Sequence, residues 1–219
     1  MPPAIDAVPL ASPLLEPAHA GELVFVLGLL AYLGVRVVYL RRRAGVQPIV
    51  RKSPLRQRQL VLLAVVGQIA APLVRVFTPW LDAANCPASA TTGWLLALGT
   101  AVMLASVALF WAAHHALGRH WSGVLALHRT HELVTHGVYR HARHPMYAAF
   151  LLLAISQTLL LRNGLTAALA LLALLAATAL YLLRAREEEA MLLAHFGPRY
   201  RAYQRRTGAL LPRLWRRAA

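Results

Sequence analysis

Long apolar stretches are the feature that most limits what this chain can fold into. Three of them, at about 22–40, 60–81 and 93–117, are long enough or nearly long enough to cross a hydrocarbon core of ~30 Å as helices. Hydrophobic residues make up 58% of the 219 residues, which is too much for an ordinary soluble fold. The sequence therefore predicts a helical protein whose main solvent is lipid.

Two further apolar runs, 146–161 and 164–183, are separated by only two polar residues. We expect a helical hairpin over about 146–183, with Gly164 making the turn. The first of these runs is short for a span, because about 16 residues at 1.5 Å each reach only about 24 Å. Its inner end is expected below the membrane surface, so that residues 131–145 line a recess.

Basic residues are distributed unequally between the loops. The loop 41–59 carries seven of them and the loop 82–92 carries none, while four arginines lie in 118–145 and nine follow residue 183. Because cytoplasmic loops are enriched in Lys and Arg, we expect the N-terminus outside and the loop 118–145 and the C-terminus inside, in a bacterial inner membrane or its equivalent. Arg75, near the end of an apolar run, is expected to snorkel to the surface.

The fold class predicted is all-α: a polytopic integral membrane protein with about five transmembrane helices and cytoplasmic amphipathic helices at the C-terminus. We expect one structural domain with two parts. The first, 1–117, holds an N-terminal tail and three transmembrane helices, and the second, 118–219, holds a loop, the hairpin and the C-terminal helices. The net charge of +15 lies between apolar runs, where it sets topology, so no nucleic-acid partner is expected.

Metal and disulfide chemistry are not indicated. The lone Cys86 excludes an internal disulfide and a cysteine-rich metal site. Eight histidines lie between residues 114 and 144, but they lack an accompanying cysteine or carboxylate-rich set, so we expect no metal.

A dense polar and aromatic segment lies between the third and fourth apolar runs. Residues 131–147 read HELVTHGVYRHARHPMY. Pro145 suits the first turn of a helix, and a residue before proline avoids helical backbone angles. His144 is therefore expected in an extended conformation just ahead of the fourth span.

A second polar segment follows residue 183. Helical spacing puts Arg184 one turn before Glu188. The Gly-Pro pair at 197–198 should end that helix and begin another, which carries Tyr200 and Tyr203. These two tyrosines are expected to act as interfacial anchors.

The two segments together resemble the isoprenylcysteine carboxyl methyltransferase family over about 118–212. The resemblance is carried by HELVTHGVY at 131–139, RHPMY at 143–147, the R-x-x-x-E-E of Arg184, Glu188 and Glu189, and LLAHFGPRYRAY at 192–203. It implies a membrane-embedded enzyme that uses S-adenosylmethionine for carboxyl O-methylation of an isoprenylcysteine-like substrate.

The resemblance also implies roles for individual residues. It associates Arg184 with the carboxylate of the methyl acceptor, as the catalytic residue. It associates the following residues with cofactor binding: His131, Glu132, Leu133, Val134, Tyr139, His144, Pro145, Met146, Tyr147 and Glu188. Residue chemistry agrees, because a sulfonium and an ammonium group suit carboxylate and aromatic contacts, and an ionised carboxylate acceptor needs no general base.

The expected partners are a lipophilic methyl acceptor and membrane lipids. Two other functions stay open from the residues alone. A phospholipid N-methyltransferase would need a base to deprotonate its acceptor amine, and His144 or a glutamate could serve. A transporter or structural subunit would use the arginine-rich faces for anionic lipids or partners. The sequence carries no signal for the oligomeric state.

Overall fold

The computed structural model describes residues 17–42, 55–86, 92–118 and 132–213. Within these ranges the regular structure is helical, with two isolated β-bridges and no strand. The α-helices are α1 (Pro17–Arg42), α2 (Leu55–Val65), α3 (Ala71–Phe77), α4 (Thr92–Leu117), α5 (Pro145–Leu161), α6 (Gly164–Phe196) and α7 (Pro198–Arg206).

Four helical stretches are long and apolar enough to cross a membrane. They are His19–Arg42, Gln59–Phe77, Thr92–Leu117 and Gly164–Phe196. The fifth apolar helix, α5, has 17 residues and is shorter, as its sequence predicts. The prediction of an all-α integral membrane protein is confirmed.

The second apolar run is interrupted inside the membrane. A π-helical turn, Val66–Ala70, separates α2 from α3. Pro72 follows it and lacks the N–H that a regular α-helical ladder needs. At this turn the backbone lies close against α6, because a Cβ added at Gly67 would meet the Leu169 carbonyl oxygen at 2.4 Å. The turn therefore brings the second span and α6 into backbone contact.

A polar and aromatic core joins α1, α4 and α5. The Ser106 hydroxyl donates to the Ala149 carbonyl oxygen at 2.8 Å, and the Tyr32 hydroxyl lies 2.5 Å from the Ser106 hydroxyl. The Tyr32 ring stacks on Phe110 with centroids 4.3 Å apart. Since these side chains are buried, their hydrogen bonds and stacking fix α5 against both neighbouring helices.

The turn between α5 and α6 differs from the expectation that Gly164 makes it. Arg162 adopts the left-handed conformation (φ 46°), and Asn163 caps α6 by accepting a hydrogen bond from the Thr166 N–H. The Asn163 amide nitrogen also donates to the Leu81 carbonyl oxygen and to Asn85, at 2.7 and 2.8 Å. An Asn at the N-cap satisfies backbone donors of the first turn, so the helix begins at Gly164 and the bend falls before it.

Helix α6 does not end with its apolar stretch at residue 183. It continues to Phe196 as one helix of 33 residues, about 50 Å long, which exceeds a hydrocarbon thickness of ~30 Å. The Arg, Glu, Ala and Leu residues that follow 183 favour helix, and no Gly or Pro stops it before 197. Gly197 (φ 54°) and Pro198 then end α6 and begin α7, as predicted.

Candidate active site at the start of α5

The segment before α5 is held by the chain that follows α7. The Arg143 N–H donates to the Gly208 carbonyl oxygen and the His144 N–H to that of Ala209, both at 2.9 Å. His144 has φ −129° and ψ 56°, which is neither helical nor extended, and Pro145 begins α5. The expected extended conformation of His144 is therefore not present, although the residue does lie outside the helix, and a backbone pairing with residues distant in sequence fixes it.

Glu189 on α6 connects this segment to the rest of the site. Its carboxylate accepts from the Arg143 guanidinium at 2.7 Å, and one of its oxygens lies 3.1 Å from the His144 Nε2. The Gln204 side-chain amide donates to its other oxygen at 3.0 Å, and Arg143 also donates to the Thr207 carbonyl oxygen. The network joins α5, α6 and α7. At its centre is Glu189, which the family resemblance gave no role in cofactor binding.

Three aromatic rings lie beside this network. The His144 ring centroid is 5.3 Å from that of Tyr181 and 6.2 Å from that of Tyr147, and the two tyrosines are 5.0 Å apart. Sequence reasoning missed Tyr181. A signal was present, because Tyr181, Arg184 and Glu188 are spaced i, i+3, i+7 and so share one face of α6.

Helix α7 closes the site from the other side. The Tyr203 hydroxyl donates to the Tyr139 carbonyl oxygen at 2.6 Å, and the Tyr200 and Tyr203 ring centroids are 6.0 Å apart. Tyr139, Tyr200 and Tyr203 are buried, at 7%, 1% and 7% exposure. The expectation that Tyr200 and Tyr203 anchor at the membrane interface is wrong, because both belong to the packing of this site.

Burial sets the protonation state of these three tyrosines. It raises the pKa of Tyr139 well above its ordinary value, with smaller contributions from Glu188 and Tyr203. It raises the pKa of Tyr203 to about 12 and also raises that of Tyr200. All three hydroxyls are therefore neutral at physiological pH, and that of Tyr203 donates to the Tyr139 carbonyl oxygen.

The residues expected to bind the cofactor divide into three groups. His144, Pro145 and Tyr139 are buried, and Met146 and Tyr147 are half-buried at the start of α5. Glu188 is half-buried and interacts electrostatically with His144 and Arg184. Glu132 is exposed and Leu133 and Val134 are half-buried, so their part in the site stays a prediction, while His131 lies outside the described residues.

The arrangement combines charge of both signs with aromatic surface. One face of α6 presents the ring of Tyr181, the guanidinium of Arg184 and the carboxylate of Glu188, and the start of α5 adds His144 and Tyr147. A carboxylate and tyrosine rings suit a cationic ligand, and a guanidinium suits a carboxylate. In the described ranges, no three His, Cys, Asp or Glu side chains are grouped as metal ligands.

Residues 96–194 match the model of the Isoprenylcysteine carboxyl methyltransferase (ICMT) family. This part of the chain is similar to that family. The match takes in the start of α5 and the whole charged face of α6, and it ends before α7. The match thus covers the residues of the site at the start of α5 and on α6, and it leaves out those on α7.

Curated relatives with the methyltransferase name also match part of this chain. A "Probable protein-S-isoprenylcysteine O-methyltransferase" of Oryza sativa subsp. indica is 35% identical over 97 residues, covering 43% of this chain and 49% of that protein. The Tribolium castaneum "Protein-S-isoprenylcysteine O-methyltransferase" is 31% identical over 121 residues, covering 54% and 42%. The chain thus spans half or less of the length of the curated relatives it matches.

A solved structure extends the likeness to most of the fold. The eukaryotic intramembrane Ras methyltransferase ICMT matches with a TM-score of 0.54 and 25% sequence identity. The match covers 90% of this chain and 72% of that one. The likeness in fold therefore extends beyond the residues of the family match.

Proposed function

We propose that this protein transfers a methyl group from S-adenosylmethionine to the carboxylate of an isoprenylated cysteine or a similar lipophilic acceptor. The observation that carries the proposal is the shared face of Tyr181, Arg184 and Glu188 on α6, beside His144 and Tyr147, inside the family match. The family match also favours a carboxylate acceptor over the amine of a phospholipid N-methyltransferase, and an enzyme over a transporter.

The residues present fit the cofactor. When bound, it supplies a methyl group on a positively charged sulfur. A half-buried carboxylate, Glu188, and the rings of Tyr147 and Tyr181 suit that charge, because both carboxylates and aromatic faces attract cations. The backbone and side chain of His144, held by Ala209 and Glu189, would complete the wall of the site.

Arg184 would hold the acceptor. Its guanidinium can donate two parallel hydrogen bonds to a carboxylate and keep it ionised. An ionised carboxylate is already a nucleophile at neutral pH, so the residues need to align and desolvate it and need not remove a proton. Arg184 lies at the end of the apolar stretch of α6, so the acceptor's lipid tail would enter sideways between the spans.

The same proposal includes the orientation in the membrane. The start of α5 and the charged part of α6 would face the cytoplasm, where the cofactor is made, and the N-terminus would lie outside. Support comes from the basic residues, which are concentrated in the loops 41–59 and 118–145 and after residue 183. A bacterial inner membrane or its equivalent fits this arrangement.

Calorimetric titration of S-adenosylmethionine into the protein in lipid nanodiscs tests the proposal. We expect micromolar binding by the parent, loss of binding in Glu188→Ala and His144→Ala, and binding unchanged in Glu187→Ala, whose side chain is exposed on the same helix. The absence of binding heat in the parent would rule the proposal out.

The acceptor is tested by the pH dependence of the rate. A carboxylate acceptor predicts a rate that is flat above the carboxylate pKa, since no proton is lost before attack. A rate that climbs with pH through the titration of an amine would instead identify a phospholipid N-methyltransferase.

A further inference from the structure

Helix α7 has one face that the site does not use. Tyr200 and Tyr203 are buried on its inner side, whereas four arginines are exposed on its outer side. We call these four the α7 arginine face: Arg199, Arg201, Arg205 and Arg206. Residues 197–219 contain seven arginines and no acidic residue.

The chain after α7 returns to the start of α5. Residues 207–213, here called the C-terminal arm, include Gly208 and Ala209, whose carbonyl oxygens accept the N–H groups of Arg143 and His144. Those two residues immediately precede Pro145, where α5 enters the apolar bundle. The arm therefore lies where a membrane-embedded helix begins, and α7 is adjacent to it.

The arm also carries an apolar side chain that points away from the protein. Leu211 is 74% exposed, and the Arg213 guanidinium donates to the Arg205 carbonyl oxygen, which folds the arm back towards α7. Exposed leucine beside clustered arginine is the composition of segments that lie in the membrane interface, with the apolar group among the lipid tails and the cations among the headgroups.

We propose that the α7 arginine face and the C-terminal arm dock on anionic phospholipid headgroups, and that this docking holds the arm against Arg143 and His144. The cation cluster complements the negative surface of a leaflet rich in anionic lipid, and each arginine near such a surface adds attraction. The link to His144 is the backbone pairing at 2.9 Å, which docking would stabilise. This inference concerns lipid binding and holds whether or not the protein is a methyltransferase.

Hydrogen exchange of the Arg143 and His144 amides tests it, because both donate directly to the arm. The full chain is placed in nanodiscs of phosphatidylcholine alone and of an equal mixture of phosphatidylcholine and phosphatidylglycerol. We expect exchange of these amides to be slower in the mixture by about fivefold or more, the effect of one or more arginines at an anionic surface. High salt should reduce the difference, because it screens exposed charges.

Variants separate charge from packing. Arg205→Gln with Arg206→Gln should lose the lipid-dependent slowing, whereas Arg205→Lys with Arg206→Lys should keep most of it. As a matched control, Arg41→Gln with Arg42→Gln removes two exposed arginines from the end of α1, which lies on the same side of the bundle, and should leave the slowing unchanged. If the Arg143 and His144 amides of the glutamine variant already exchange faster in phosphatidylcholine alone, the substitution has loosened the arm itself. The comparison between the two lipids is then made with the lysine variant.

Three results would overturn the inference. Equal exchange of the two amides in both lipids would show that docking does not reach the arm. A loss in the Arg41 and Arg42 control as large as that at Arg205 and Arg206 would show that the effect is not specific to α7. A loss of the slowing in the lysine pair would show that arginine packing, and not charge, is responsible.

Discussion

The two ends of the helical bundle both carry polar networks, and they are built differently. One end holds the turn between α5 and α6 and is here called the turn end. There Glu22 pairs with Arg75 at 3.0 Å, and Arg75 donates to Asn85 at 2.8 Å. Asn163 donates to both Asn85 and the Leu81 carbonyl oxygen. At the end where α5 begins, here called the motif end, Arg143, His144 and Glu189 form the network.

The difference lies in what accompanies each network. At the turn end the central side chain is a neutral amide, and it bonds the Asn85 side chain, the Leu81 backbone and the first turn of α6. At the motif end a second carboxylate, Glu188, and a second cation, Arg184, lie on the same helix as Glu189, beside two tyrosine rings. The first network stabilises the fold, and the second also holds groups that are suited to binding a ligand. Substitutions at the two ends should therefore affect different measurements.

Arg184→Gln should give the largest of the expected effects, a loss of catalytic activity. If Arg184 holds the acceptor carboxylate, its loss removes charge-assisted hydrogen bonds and should lower kcat/KM for an isoprenylcysteine-like acceptor by about a hundredfold. Cofactor affinity, measured by calorimetry, should stay close to that of the parent. The control is Arg186→Gln, which is exposed on the same helix. An equal loss of activity in the control, or a loss of cofactor binding, would contradict the role of Arg184.

Glu189→Gln should change both binding and stability. The substitution keeps the shape but removes the charge facing Arg143 and His144, whose side chains are 16% and 4% exposed. We expect the free energy of unfolding to fall by roughly 1–3 kcal/mol and cofactor affinity to fall by about tenfold, because His144 loses a charged partner. Glu187→Gln on the exposed side should stay within about 0.5 kcal/mol of the parent. Normal affinity in Glu189→Gln would mean that the network does not support the site.

Much of this fold follows from patterns within short stretches of sequence. Apolar run length predicts the five apolar helices, and Gly197 with Pro198 predicts the break before α7. The non-helical backbone of His144 follows from Pro145 next to it, since proline restricts the residue before it. Each of these depends on residues close together in the chain, where backbone sterics and hydropathy act locally.

The parts that were not predicted depend on contacts between distant residues. The expectation that Arg75 snorkels gave no account of its partner, because Glu22 lies 53 positions earlier on another helix. The pairing of Arg143 and His144 with Gly208 and Ala209 has no sequence signature, since backbone groups make it. Helical period places Glu188, but not Glu189, one turn from Arg184. It carries no information on which of the two meets His144, because the position of α5 decides that.

At the turn end, Asn163→Ala should lower stability without changing cofactor affinity. It removes the cap of α6 and leaves the Leu81 carbonyl oxygen without this donor, so the free energy of unfolding should fall by about 1–2 kcal/mol. Thermal unfolding in detergent and calorimetry measure the two effects. Asn163→Asp keeps the acceptor for the Thr166 N–H and should lose less. A large fall in cofactor affinity would show that the two ends are not independent.

Tyr203→Phe should give the smallest change in the free energy of unfolding. The pH dependence of that change identifies whether the hydroxyl or the ring is responsible. It removes the 2.6 Å hydrogen bond to the Tyr139 carbonyl oxygen, which should cost about 1 kcal/mol at neutral pH. Burial raises the pKa of Tyr203 to about 12, so the folded state favours the neutral phenol. Its contribution is complete below the unfolded pKa of about 10 and is lost as pH rises towards the folded value. The gap in unfolding free energy between parent and Tyr203→Phe should therefore shrink between about pH 10 and pH 12. A gap that stays constant over this range would mean that packing of the ring, which phenylalanine keeps, holds α7 against the site without help from the hydroxyl.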